Sequence, residues 1–320
     1  FLIGPAVGGV VLAFASWRWL FSLSLPLAAV VFAWAARRLP ESRAVIPRPF
    51  DAAGTAVLVL LLIALVVGLS GLDASAFGAS MARPNVWGPL ALAAVLVPVL
   101  AVIERHVEAP LLRPGLLARR PVQIACVLAV GAGIVEATFV LLSAYTVVAF
   151  GVGESEGSYL LLPLVAGVAL GAPVAGRLLD RIGARPVVTM ASVLILVGMA
   201  GVAAAPSLGL HITATVILGL GLSGVLGSSL SYILLAEAGR DERAVAQGLS
   251  TVFLSIGQLA GAALLTALAA SSTSPEAGYR LGFGVVAAGA LVLVVAARLL
   301  PLYRSRSATA EPKSASLDIT

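Results

Sequence analysis

Of the fifteen acidic residues in this 320-residue chain, Glu136 falls deep inside an apolar stretch, while the other fourteen read as loop or tail residues. A carboxylate in such a setting is costly to keep charged. Its uses there are few. It takes up and releases a proton, balances a cation, or stays protonated and bonds a neighbouring helix. Thr138, Ser143 and Tyr145 follow on the same stretch, and Ser143, seven residues on, shares its face. Tyr145, Tyr232 and Gln258 are further candidates for polar contacts with a small molecule. A packing hydrogen bond between helices is an equal use for Tyr232 and Gln258.

The second charged feature is Gly176-Arg177-Leu178-Leu179-Asp180-Arg181-Ile182-Gly183-Ala184-Arg185-Pro186, a tight basic loop between the apolar runs 158–175 and 187–205. Asp180 beside helix ends and arginines can form a charge-assisted bond that exists in one conformational state only, which would make the loop a gate. Its arginines can equally do no more than fix the orientation of the chain in a membrane.

No catalytic constellation appears, and the chain reads as a non-enzyme. Cys126 is the one cysteine, so an intramolecular disulfide and a cysteine metal cluster are both excluded. His106 and His211 are isolated and read as loop residues, with no metal-ligand spacing around them. Gly219-Leu220-Gly221-Leu222-Ser223-Gly224 spells a dinucleotide fingerprint, but no strand precedes it and no ribose-binding acid follows, so close helix packing is the better reading. Without a Walker A motif nothing supports ATP as energy source. No cofactor is expected, with a proton gradient as the expected energy source.

These residues need elements to position them, and composition decides which. The chain is 60% hydrophobic and 11% charged, with mean hydropathy +1.07. A soluble domain carries about 25% charged residues, so lipid is the expected solvent. A net charge of +5 without a basic, aromatic-laced stripe argues against nucleic acid. Apolar windows of about 19 residues fall at 1–16, 19–36, 52–71, 88–103, 122–150, 158–176, 187–205, 210–233, 247–270 and 281–300. The runs are apolar all round and therefore helical, since membrane strands would alternate in polarity. The expected fold class is all-α, a polytopic membrane bundle of ten segments.

Charge supports that count. Seventeen of the twenty Lys and Arg residues fall in alternate gaps, and only Arg18, Arg83 and Arg280 in the others. This alternation puts the Gly176–Pro186 loop and the C-terminus in the cytoplasm. Trp17, Trp19, Trp34, Trp87, Tyr159 and Tyr279 sit near span ends as an interfacial belt. The Ser/Ala-rich tail 304–320 is expected to be disordered. Arginine-heavy, Ala/Gly-rich usage suggests a bacterial cell membrane.

Several motifs carry a family resemblance. The charged loop resembles the G-x-L-x-D-R-x-G-R-[KR] signature of the major facilitator superfamily. Gly4, Pro5, Gly8 and Gly9, followed by Trp17-Arg18-Trp19 and Pro26, resemble the fifth-helix signature of its fourteen-helix drug/proton antiporter branch, with Ser24 where Asn is usual. Glu104, Glu108, Pro110, Leu111 and Leu112 look like that branch's connector, and Leu162-Pro163 like its outer loop. Gln247-Gly248-Leu249 and Ser255–Gly261 look like a late helix, without its usual arginine.

The resemblance implies an exporter of small amphipathic or cationic compounds in exchange for protons. Glu136 would be the coupling acid, and Gly176, Arg177, Asp180, Arg181, Gly183 and Arg185 the gate. A facilitator or symporter for one metabolite, and a non-transporting sensor or inactive fragment, are the alternatives. With the first segment as helix five, four helices would precede Phe1. Residues 1–36 would then end an N-terminal bundle, 37–121 hold two linker helices, and 122–303 form a six-helix bundle. A monomer is expected, with lipid, substrate and protons as partners.

Overall fold

The computed structural model describes residues 18–38, 51–72, 76–107, 114–239, 242–270 and 274–302, with positions 11, 16, 110 and 272. Regular elements among them are all helical. They are α1 (Arg18–Arg38), α2 (Ala52–Ser70), α3 (Phe77–Met81), α4 (Pro84–His106), α5 (Pro114–Leu117), α6 (Arg120–Phe150) and α7 (Glu154–Tyr159). Then follow α8 (Leu162–Ile182), α9 (Ala184–Ala204), α10 (Leu208–Leu226), α11 (Ser228–Glu237), α12 (Arg243–Ala270) and α13 (Pro275–Arg298).

Local chemistry explains several ends. Asp51, 5% exposed, accepts the Gly54 amide through Oδ1 at 2.7 Å and caps α2. Asp51→Ala should therefore cost roughly 1 kcal/mol and speed amide exchange in the first turn of α2, while Asp51→Ser, which keeps a capping oxygen, should not. Ser274 caps α13 with Pro275 at its first position. Gly151, at φ 65°, ends α6 in the left-handed conformation that glycine adopts freely.

Six spans form one bundle. Helix α6 lies along α12, α10 along α8, and α9 packs between α10 and α13. Leu128, Tyr145, Ile195, Met199, Leu218, Leu222 and Phe283 are fully buried at its centre. The opposite surfaces are equally apolar: Val140 is 81% exposed and Leu170 67%. An outer face of that kind suits hydrocarbon and not water. Helices α2 and α4 pair with each other, and α2 leans on α12. Trp19, Phe21 and Phe32 of α1 are exposed.

Charged side chains tie the bundle's two ends. Arg119 Nη1 donates to the Glu237 carbonyl and lies 3.8 Å from its carboxylate, fastening the start of α6 to the end of α11. At the other end Arg280 donates to the Ala205 carbonyl at 3.0 Å and pairs with Glu276 at 3.1 Å.

Of the ten expected spans, 1–16 lies outside the described residues except at positions 11 and 16, the tail 304–320 lies outside them too, and 19–36 forms α1. The other eight correspond to eight helices long and apolar enough to cross a membrane. The expected 210–233 span is broken at Gly227 into α10 and α11.

Three expectations are corrected. The charged stretch is not a loop: Gly176–Ile182 are the last two turns of α8, Gly183 is the single link, and Ala184 begins α9. Arginine and leucine are good helix formers, so only Gly183, at φ 83°, interrupts the helix. The histidines are not loop residues either. His106 closes α4 with Nδ1 2.7 Å from the Val102 carbonyl, and His211 is fully buried in α10 against Tyr145 and Phe150. Finally, Glu104 is no connector residue but sits in the last turn of α4, 3% exposed. Polar residues at a span end score as loop in a hydropathy window, although the helix and its packing run on past the apolar core.

Candidate functional site

The geometry around Glu136 begins with glycines. Gly257 and Gly261 are one helical turn apart on α12, and Gly133 faces them from α6. A Cβ on Gly257 would strike the Val130 carbonyl, one on Gly133 the Leu254 carbonyl, and one on Gly261 would lie 2.8 Å from Ile134 Cα. Small residues at this spacing let helix backbones approach without an intervening side chain. Glu136 is three residues past Gly133 on the same face, and Gln258 directly follows Gly257. Close backbones let two medium-length side chains meet: Gln258 Nε2 donates to Glu136 Oε2 at 2.7 Å, across 122 residues of sequence.

The pair lines a cavity of about 370 Å³ whose remaining wall is Ala137, Val140, Leu141, Leu259, Ala262 and Thr266. Glu136 is half-buried there. A second cavity, about 210 Å³, shares Leu259, Ala262 and Thr266 and is closed by Val66, Leu69 and Ser70 of α2. An acid and an amide in an otherwise apolar wall can hold a proton, or a small cation and its hydrogen-bond donors. The bond from Gln258 fixes the position of the Glu136 carboxyl in the cavity wall.

The family model described as Major Facilitator Superfamily matches residues 124–318. The chain belongs to this superfamily. Relatives include an uncharacterized MFS-type transporter, YfiU, of Bacillus subtilis, 27% identical over 268 residues, 80% of this chain and 50% of that protein. The multidrug transporter protein MdtP of the same organism is 26% identical over 279 residues, 83% of this chain and 49% of its own length. The tetracenomycin C resistance and export protein of Streptomyces glaucescens is 28% identical over 278 residues, 84% and 50%. The chain spans about half the length of these curated relatives.

Other candidates lie elsewhere in this major facilitator bundle. Tyr145 is 0% exposed and packs edge-on to Phe283, with ring centroids 5.3 Å apart. Nine residues from Glu136, it faces the opposite side of α6. Tyr232 is half-buried on α11 against the core. Neither lines the Glu136 cavity. Arg177, Asp180 and Arg181 are exposed at the end of α8, Gly183 is buried, and Arg185 is half-buried in the first turn of α9. Asp180 makes no ion pair among the described residues. Gly4, Pro5, Gly8 and Gly9 lie outside them. The Gly219–Gly224 run lies within α10, where a Cβ on Gly219 would strike the Leu164 carbonyl of α8 and one on Gly221 would come 2.7 Å from the Ile195 nitrogen of α9. It is a packing surface. What sequence reading missed is the α6–α12 crossing, although Gly257-x-x-x-Gly261 was its visible signal.

Proposed function

We propose that this chain belongs to a proton-coupled exporter of small amphipathic or cationic compounds, working by alternating access in a bacterial plasma membrane with its C-terminus in the cytoplasm. The observation that carries the proposal is the Glu136–Gln258 pair in the wall of an apolar cavity. A carboxyl placed there has little structural use that a leucine would not serve better, and it titrates when water reaches it from one side or the other. The names of two relatives, a multidrug transporter and a tetracenomycin C resistance and export protein, agree with an amphipathic cargo. The alternation of basic gaps supports the orientation.

In this reading the bundle rocks as a unit about the site. Asp180 and its arginines, at the rim of α8 and α9, form their ion pair in another conformation of the cycle. The test is a transport assay on the full-length protein in proteoliposomes loaded with a pH-sensitive dye. Adding a lipophilic cation such as ethidium should release protons in step with its movement. Cation transport without any proton movement would refute coupling.

A further inference from the structure

An open cleft of about 460 Å³ lies where α9 begins and α13 ends. Pro186, Thr189 and Met190 of α9 line it, with Leu302 just past α13. Two guanidiniums share it, Arg185 in the first turn of α9 and Arg298 in the last turn of α13. Packing of α9 against α13 brings these helix ends, and with them the two cations, together. Neither guanidinium makes an ion pair or a hydrogen bond among the described residues, and no acid lines the cleft. Like charges in one cleft repel, so an anion is the occupant that would stabilise it. The surface leading away from the cleft is apolar. Thr189, Val193 and Val197 follow Arg185 at four-residue spacing on α9, and Val295 and Leu291 precede Arg298 by three and seven residues on α13. Such spacings keep side chains on one helix face. Met190, Val193, Val197, Val295 and Leu291 are all exposed. From Arg185 to Val197 the stripe runs about 18 Å, more than half of the ~30 Å hydrocarbon core.

We infer that this cleft binds an anionic phospholipid with a headgroup of the phosphatidylglycerol type. The phosphate lies between Arg185 and Arg298, whose planar forks offer paired N–H donors to its oxygens. The Thr189 hydroxyl already donates to the Arg185 carbonyl at 2.8 Å, so the guanidiniums are the donors that hold the phosphate. One acyl chain follows the stripe of α9 past Met190 and the other that of α13. A lipid suits the place better than a soluble anion, because the same cleft offers apolar surface beside both cations. Ethanolamine and choline headgroups carry a cation of their own, and a cleft with two cations and no carboxylate has nothing to receive it. The order of preference is therefore glycerol over ethanolamine and choline headgroups. In the orientation proposed above, the cleft belongs to the cytoplasmic leaflet. It shares no lining residue with the Glu136 cavity, and the assignment does not rest on transport.

The test is native mass spectrometry of the purified protein released from membranes holding equal amounts of phosphatidylglycerol, phosphatidylethanolamine and phosphatidylcholine of matched chains. Retention of phosphatidylglycerol about tenfold above either zwitterionic lipid is expected from two basic residues at the headgroup level. Replacing both arginines, Arg185→Gln with Arg298→Gln, should remove that preference. Arg120→Gln removes an exposed cation at the start of α6, outside the cleft, and should leave it unchanged. Thr189→Trp puts an indole into the cleft and keeps both guanidiniums, so it should lose the bound lipid even if the double glutamine variant fails to fold. Equal retention of the three lipids by the unaltered protein would overturn the proposal. So would an equal fall in Arg120→Gln, or unchanged retention in Thr189→Trp or in the folded double variant. Displacement of the lipid by inorganic phosphate at constant ionic strength would assign the cleft to a free anion and overturn the lipid as its occupant.

Discussion

Glu136→Gln is expected to reduce pH-driven transport to the level of empty liposomes while the protein stays folded. The amide cannot ionise, so no proton is carried through the cavity. Its carbonyl oxygen can still accept from Gln258 at the same position, and the volume is conserved. Thermal stability should therefore change by no more than about 1 kcal/mol. The variant also separates two roles of the acid. If Glu136 only couples protons, exchange of labelled for unlabelled substrate, which needs no gradient, should persist. If it balances a substrate cation, exchange should fail together with pH-driven transport. Unaltered pH-driven transport would remove Glu136 from both roles and leave the pair as a structural hydrogen bond.

Replacing Gly257 should have the largest structural effect. The Cβ of any other residue would meet the Val130 carbonyl, part of the α6 backbone and unable to rotate aside. Gly257→Val must push α6 and α12 apart, at a cost of about 1–3 kcal/mol or more for an overpacked contact. The same separation pulls Gln258 from Glu136, so transport should fall with stability. Gly248 is the internal control. It lies on the same helix, and a Cβ there meets nothing within 4 Å. Gly248→Ala should be neutral or stabilising by roughly 0.5–1 kcal/mol, the usual helical preference for alanine. Thermal unfolding in detergent should separate the two variants clearly. Equal effects would mean that the crossing is not closely packed.

Much of this was legible in one dimension. Glu136 announced itself because an acid amid apolar residues needs no fold to look unusual. The charged stretch at Gly176–Pro186 was located correctly, yet read as a loop, because residue polarity reports water contact and not backbone conformation. Tyr145 was grouped with Glu136 by shared segment, although nine residues turn it half a circle away into the aromatic cluster with Phe283. Glu104 was read as a connector residue, since an acid near a span end looks solvated, yet it is buried in the last turn of α4.

The sequence alone determined that this is a multi-pass helical membrane protein of the major facilitator type. Both signals are local: hydrocarbon demands long apolar runs with their backbones satisfied internally, and the family motifs are contiguous. Only the tertiary structure decided which faces meet. Lipid and bundle core are both apolar, so a spanning helix shows little periodicity to reveal its inner side. The pairing of Gln258 with Glu136 depends on where glycines let backbones close up, and that crossing joins residues more than a hundred positions apart.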